Sequence, residues 1–118
     1  MKMILFVLHD ANKLKELLDA WQAAGVTGTT VFFSTGTGRI RRGESLRDDL
    51  PLMPSLSDFF DRDRGMSRTL FTVVRDQATV KRVLAATRSV VGDLDRPDTG
   101  LLVVLPVEQV AGLVKKHT

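Results

Sequence analysis

Glycines and arginines give the segment 34–45, Ser-Thr-Gly-Thr-Gly-Arg-Ile-Arg-Arg-Gly-Glu-Ser, the clearest chemical potential in the chain. Gly36 and Gly38 can take positive φ angles, which lets their backbone N–H groups approach an anion closely. Arg39, Arg41 and Arg42 offer forked donors that suit phosphate oxygens. The segment therefore predicts a phosphate-binding loop, and a turn into a solvated basic loop is the alternative interpretation.

A second segment, residues 92–100, reads Gly-Asp-Leu-Asp-Arg-Pro-Asp-Thr-Gly. Asp, Pro and Gly at this density predict a tight turn. Asp93, Asp95 and Asp98 are residue types that bind hard cations, but their spacing lacks the glycine and the glutamate of a calcium loop. We therefore predict no metal site in this turn.

The residue types that perform catalysis are sparse. The chain has no cysteine, and its two histidines, His9 and His117, lie far apart in sequence. No serine stands in a nucleophile-elbow context. We therefore predict a protein that is not an enzyme and that requires no cofactor.

The composition is that of a globular domain. The chain has 118 residues, of which 43% are hydrophobic and 26% are charged, so one domain over residues 1–118 can bury its own core. A net charge of +3 permits nucleic acid binding without indicating it, and we expect no DNA partner. Without a signal-peptide pattern or an apolar run of about 18 residues, we expect a cytoplasmic protein and no membrane insertion.

Periodicity predicts four strands and two helices. The strands are expected at residues 2–8, 29–34, 69–75 and 101–105, with Pro106 ending the last one. The helices are expected at residues 11–24 and between Asp76 and Gly92, with aspartates as N-caps and glycines as stops. The side chains expected to point inward are Leu14, Leu17, Leu18 and Trp21 in the first helix and Val80, Val83, Leu84, Thr87 and Val91 in the second.

The two halves of the chain are similar to each other. A shift of 66 residues lays Val-Leu-His-Asp-Ala-Asn-Lys-Leu-Lys-Glu-Leu-Leu over Val-Val-Arg-Asp-Gln-Ala-Thr-Val-Lys-Arg-Val-Leu, so that Asp10 meets Asp76. Two βαβ units in tandem fold most simply into a four-stranded antiparallel sheet with both helices on one face. We predict an α+β fold of the ferredoxin-like βαββαβ type.

The predicted strands are apolar at nearly every position, whereas a sheet wetted on one side alternates apolar and polar residues. Two helices cover one face only, so the other face needs a further cover. We expect an obligate oligomer packed through the open sheet face. A monomer whose long loop or C-terminal tail folds over that face is the alternative.

The connection from residue 36 to residue 68 is far longer than a hairpin requires. Leu56, Phe59 and Phe60 follow helical spacing, and they predict a short amphipathic helix over residues 55–62 that docks on another surface. That surface could be the protein's own assembly, a ligand cleft to which the helix forms a lid, or a partner.

Two stretches resemble one known family. Residues 24–39, Ala-Gly-Val-Thr-Gly-Thr-Thr-Val-Phe-Phe-Ser-Thr-Gly-Thr-Gly-Arg, are similar to the second strand of the PII signal-transduction proteins, which ends in Gly-aromatic-Gly-Arg. Residues 101–108, Leu-Leu-Val-Val-Leu-Pro-Val-Glu, resemble that family's last strand and its Leu-Pro-Val-Glu continuation. With both helices in register, the resemblance covers residues 1–36 and 69–114.

The resemblance implies a ferredoxin-like homotrimer that binds adenine nucleotides in clefts between subunits and signals to a target protein through a mobile loop. The implied effector is ATP, ADP, AMP or a cyclic dinucleotide, and the implied target is a protein such as a transporter or an enzyme. The turn at 92–100 corresponds to the family's phosphate-side loop. The ligand-binding residues expected on this basis are Thr30, Gly36, Thr37, Gly38, Arg39, Arg96, Asp98, Thr99 and Gly100.

The chain also departs from the family. Ile40 stands in place of the glutamine that holds magnesium beside ATP and 2-oxoglutarate, and Leu101 stands in place of a phosphate-binding lysine, for which Arg96 could substitute. Gly112 and Val114 occupy positions of family arginines, and the chain has no tyrosine to be uridylylated. These departures predict a divergent PII-like protein rather than a nitrogen regulator.

The leading hypothesis is therefore a PII-like sensor in which a nucleotide orders the central loop, including Arg41, Arg42, Leu56, Phe59 and Phe60, for a partner protein. A single-stranded RNA-binding module is a second hypothesis, because ferredoxin-like sheets often bind RNA on exposed aromatics. A structural trimer related to the CutA proteins is a third.

Overall fold

The computed structural model describes residues 1–34 and 67–113. Its elements, in chain order, are β1 (Lys2–Leu8), a 3-10 turn (Ala11–Lys13), α1 (Leu14–Ala23), β2 (Thr30–Ser34), β3 (Ser67–Val74), α2 (Gln77–Val91) and β4 (Gly100–Pro106). The four predicted strands are confirmed, with ends that differ from the expected ones by two residues or fewer. No helix in this described part of the chain is long and apolar enough to cross a membrane.

The strands form one antiparallel sheet in the order β2-β3-β1-β4. Since β3 lies between β1 and β2, and β1 lies between β3 and β4, each βαβ unit is split by a strand of the other unit. This order, with two helices, is the ferredoxin-like βαββαβ arrangement. The predicted fold class is therefore confirmed.

The internal repeat has a structural counterpart in an approximate two-fold relation between the halves. In the β1–β3 ladder, Leu5 pairs with Phe71, its own counterpart 66 residues later. Between the helices, Trp21 Nε1 donates a buried hydrogen bond to Thr87 Oγ1 at 2.9 Å, and these two residues are also 66 positions apart. The pseudo-symmetry axis therefore runs through the centre of the sheet and between the two helices.

Both aspartates that the sequence places before helices act as caps. Asp10 Oδ1 accepts the backbone N–H of Asn12 at 3.1 Å and thereby starts the 3-10 turn before α1. Asp76 Oδ1 accepts the backbone N–H of Thr79 at 2.8 Å and its hydroxyl at 2.7 Å. These bonds satisfy N–H groups that the first turn leaves without helical partners.

The core lies between the helices and one face of the sheet. Phe6, Leu17, Trp21 and Val83 are fully buried there, which confirms the predicted inward faces of both helices. Leu14, Leu18 and Leu84, which were also predicted to point inward, are only partly buried, and Leu14 and Leu18 pack against the core. Thr79, which the apolar pattern passed over, is buried because its hydroxyl is satisfied by Asp76.

The opposite face of the sheet is apolar over β1, β4 and much of β3, as the sequence predicts, and it also carries Thr30, Ser34, Ser67 and Thr69. It carries the odd-numbered residues of β1, β3 and β4 and the even-numbered residues of β2, and none of these side chains is charged. Phe32 and Phe71 make an edge-to-face contact on it, with ring centroids 6.3 Å apart. We call this surface the open face.

Candidate functional site

The structure describes only part of the predicted site. Of the expected ligand-binding residues, it places Thr30, Arg96, Asp98, Thr99 and Gly100. The other predicted residues lie outside the described part of the chain, and they are Gly36, Thr37, Gly38 and Arg39 of the phosphate loop and Arg41, Arg42, Leu56, Phe59 and Phe60 of the lid.

The sheet fixes where the two candidate segments begin. One row of paired residues crosses all four strands in the order Phe33, Arg68, Leu8 and Gly100. The chain therefore leaves β2 toward residue 36 and enters β4 from the 92–100 turn at the same end of the sheet. Because β2 and β4 are the two edge strands, these points are three strand spacings apart, about 14 Å.

The 92–100 turn is held by its own hydrogen bonds. Asp93 Oδ1 accepts the backbone N–H of Asp95 at 2.9 Å, and its carbonyl accepts that of Arg96 at 3.1 Å. Thr99 Oγ1 donates to the Arg96 carbonyl at 2.9 Å. Asp98 has a φ of 63°, in the left-handed region. The predicted tight turn is confirmed, and the exposed Arg96 side chain lies beside it.

Gly100 has a structural role as the first residue of β4. Its φ is 142°, and a Cβ added there would lie 2.6 Å from Phe6 Cζ and 2.7 Å from the Val7 carbonyl oxygen. Both contacts are closer than real Cβ atoms show. Packing against Phe6 in the core therefore requires glycine here, independently of any ligand.

Thr30 borders an open pocket at the other end of β2. The pocket has a volume of about 520 Å³, within the range of small-molecule sites. Its lining includes Thr27, Thr30 and Phe71 from the sheet region, and residues 110–113 from the segment after β4. A neutral pocket with hydroxyls and an aromatic ring suits a flat heterocycle better than an anion.

A smaller pocket of about 160 Å³ adjoins the first, because both are lined by Thr27, Val73 and Leu113. Its polar wall includes Arg75 and Arg82. Arg82 Nε donates to the Ala24 carbonyl at 3.0 Å, and Arg82 Nη2 donates to Thr79 Oγ1 at 2.9 Å. The guanidinium is thus held at the junction between the end of α1 and the start of α2.

The same junction perturbs one carboxyl group. The hydroxyl and backbone hydrogen bonds from Thr79 lower the pKa of Asp76, and the charge of Arg82 adds to that effect. The shift accompanies helix capping, so it gives no independent sign of a catalytic acid. Within residues 1–34 and 67–113, no three His, Asp or Glu side chains are grouped to hold a metal ion.

Sequence reasoning missed the C-terminal wall of the larger pocket. After β4, Val107 N donates to the Met1 carbonyl at 3.2 Å, and residues 110–113 then line the pocket beside Thr30, near the opposite edge of the sheet. Periodicity cannot indicate such a crossing, because the segment forms neither a helix nor a strand. Thr27, on the sheet side of the pocket, belongs to the Val-Thr-Gly-Thr run. That run was the sequence feature from which this part of the lining could have been predicted.

The structure thus does not bring the described candidates together in one chain. Thr30 pairs with Phe71, four residues before the end of β2, and it lies across the sheet from Arg96 and Gly100. Thr30 lies at the β2 edge of the sheet, and the 92–100 turn lies at the β4 edge. Compared with protein-family models and with curated proteins, the chain matches no family model and no curated protein.

Proposed function

We propose that this chain is a non-enzymatic, PII-like regulatory protein of the cytoplasm. In this proposal a homotrimer binds an adenine nucleotide, or a related small metabolite, in clefts between subunits. Binding alters the connection between β2 and β3, which signals to a target protein such as a transporter or an enzyme. A ligand drives this switch only if it binds one state of the connection more tightly than another.

One observation carries the proposal, namely that the two candidate segments leave the same end of the sheet at opposite edges. A second copy of the chain that brings these two edges together would let one ligand contact both segments. The open face, on which Phe32, Leu101 and Leu105 are exposed, gives the copies a reason to associate, because exposed apolar patches mark interaction surfaces.

The pocket beside Thr30 supports a nucleotide in particular. Thr30 lies four residues before Ser34, which is about 13 Å along an extended strand. That separation is comparable to the reach of an extended nucleotide from its base to its terminal phosphate. The base would then lie in the neutral pocket. The phosphates would contact residues 36–39, whose glycine and arginine types suit an anion.

The charge distribution disfavours RNA binding. Single-stranded RNA is bound by stacking on aromatics together with contacts to its charged backbone. Phe32 and Phe71 offer rings on the open face, but its strand residues include no lysine or arginine. Arg68, the charged residue of β3, lies on the helix side, 4.1 Å from the centre of the Phe33 ring. Burial against protein suits this face better.

The test combines native mass spectrometry with calorimetry against ATP, ADP, AMP, cyclic dinucleotides and S-adenosylmethionine. We expect a trimer, and at least one of these ligands to bind. Thr30→Val keeps the side-chain shape but removes the pocket hydroxyl, so it should weaken binding about five- to tenfold. Thr29→Val is the matched control because Thr29 lies outside the pocket lining. A monomer, or a trimer that binds none of the ligands, contradicts the proposal.

A further inference from the structure

Two arginines line the smaller of the two pockets and have no part in the proposed function. The pocket lies where the loop after α1 meets the end of β3 and the start of α2, and Arg75 and Arg82 contribute to its polar lining. Its volume of about 160 Å³ is below the range of sites that enclose a whole small molecule. It therefore has room for one small chemical group, and we call it the arginine pocket.

Hydrogen bonds hold Arg82 in place at this pocket. Its Nε donates to the Ala24 carbonyl at 3.0 Å, and its Nη2 donates to Thr79 Oγ1 at 2.9 Å. A guanidinium carries five N–H donors, and these bonds use only two of them. Arg82 thus has donors left for a further acceptor, and its fixed position lowers the conformational entropy that is lost when it binds one.

The internal repeat shows that the contact with the end of α1 does not require an arginine. Val90 lies 66 residues after Ala24, at the equivalent place in the second half, and its carbonyl accepts a hydrogen bond from Lys13 Nζ at 3.3 Å. A basic side chain thus satisfies a terminal carbonyl at the end of each helix. A lysine is sufficient at one junction, so the forked donors of Arg82 at the other are available for a second purpose.

The described lining of the arginine pocket has an excess of positive charge. Asp76 is its one acidic residue, beside Arg75 and Arg82. Oδ1 of Asp76 accepts the backbone N–H and the hydroxyl of Thr79, so this carboxylate caps α2 and the Thr79 N–H is occupied. The guanidinium groups, rather than the start of the helix, are then the donors for a ligand. Positive charge in a concave site raises the local concentration of anions.

We propose that the arginine pocket binds the anionic group, a carboxylate or a phosphate, of a small molecule. Guanidinium groups pair with both kinds of anion through two parallel N–H···O bonds. Arg82 supplies the fixed donors, and the exposed Arg75 adds a second positive charge. This site uses one copy of the chain and no residue of the connection between β2 and β3, so it goes beyond the proposed nucleotide site.

The adjoining larger pocket indicates which organic molecules fit. Thr27, Val73 and Leu113 line both pockets, so one ligand can occupy the two together. Phe71 contributes an aromatic ring to the larger pocket, whose described lining is uncharged. A small aromatic or heteroaromatic acid would place its ring there and its carboxylate or phosphate in the arginine pocket. A free anion would occupy the arginine pocket alone.

NMR spectroscopy of the full chain tests this site, because the Arg82 Nε–H is a direct reporter. Its bond to the Ala24 carbonyl protects it from exchange with solvent. The probes are inorganic phosphate, acetate, nicotinate and uncharged nicotinamide, at constant ionic strength. We expect at least one of the three anions to shift the Arg82 Nε–H signal and the backbone N–H signals of residues 25–27 and 75–79 until the shifts saturate. Nicotinamide should shift the Arg82 signal less than nicotinate does.

Substitutions then identify the groups that bind the anion. Arg75→Gln removes a charge at an exposed position, so it should leave the fold intact and raise the dissociation constant of the anion about threefold to tenfold. Arg82→Gln should have at least as large an effect, but it also removes the contact with Ala24. Arg88→Gln is the matched control, because Arg88 is exposed on α2 outside the described pocket lining.

The four probes also distinguish the sources of the anion. Tighter binding of nicotinate than of acetate supports an organic acid whose ring lies in the larger pocket, whereas equal binding of phosphate and nicotinate supports a free anion. Shifts that grow linearly without saturating, or equal effects of Arg75→Gln and Arg88→Gln, would mean general charge screening. Either of these results would overturn the anion site and leave the proposed function standing, since that function is measured by nucleotide binding and subunit number.

Discussion

Gly100 shows how one backbone position can be fixed by packing in a segment that sequence reasoning assigns to ligand binding. Its positive φ and the 2.6 Å approach to Phe6 leave no room for a side chain. Gly28 is a useful contrast, because a Cβ there would meet no atom within 4 Å. A glycine in a Gly-rich motif is therefore not by itself a sign of a ligand.

We predict that Gly100→Ala lowers the free energy of unfolding by about 2 kcal/mol or more, through backbone strain and overpacking against Phe6. Gly28→Ala should change it by less than about 0.5 kcal/mol. Urea unfolding followed by circular dichroism measures both variants. Equal stabilities for the two variants would show that the close contacts at Gly100 relax without cost.

At the scale of elements, the two helices are joined by a polar contact inside an apolar core. Thr87 Oγ1 accepts the indole N–H of Trp21 and donates to the Val83 carbonyl at 2.7 Å, so each of these polar groups is satisfied. A buried donor that loses its acceptor retains its full desolvation cost. The bond therefore also fixes how α1 and α2 lie against each other.

We predict that Thr87→Val, which keeps the shape of the side chain, lowers the free energy of unfolding by about 1–3 kcal/mol because the Trp21 N–H is left unpaired. Ser89→Ala is the control, since its hydroxyl makes a similar bond to the Ala86 carbonyl at an exposed position, and it should change stability by less than about 0.5 kcal/mol. Urea unfolding monitored by Trp21 fluorescence measures both. A neutral Thr87→Val would mean that the indole finds another acceptor.

The elements themselves were largely predictable from sequence. Asp10 and Asp76 mark helix starts by a local capping chemistry, and the repeat of 66 residues supplied the topology. Leu84 and Thr79 were less predictable, because burial there depends on the neighbouring helix and on a hydrogen bond rather than on apolar spacing. The pocket wall at residues 110–113 depends on where an irregular segment crosses, which no local pattern encodes.

At the scale of the whole molecule, the fold and the candidate site both lead us to expect that copies of the chain associate. The sheet has an uncharged, largely apolar open face, and the chain leaves β2 and enters β4 at opposite edges of it. We expect a second copy of the chain to cover that face and to bring the two edges together. Assembly is therefore expected to be part of the stability of this protein as well as of its ligand binding.

Association of the chain predicts that thermal stability depends on protein concentration. If the native state is a trimer and the unfolded state is a single chain, mass action stabilises the native state as the concentration rises. For a chain of this size the melting temperature should increase by about 3 °C for each tenfold increase in concentration. Scanning fluorimetry from micromolar to hundreds of micromolar protein measures the slope. A melting temperature that stays constant over this range would mean that the native state is a monomer, in which another part of the same chain shields the open face.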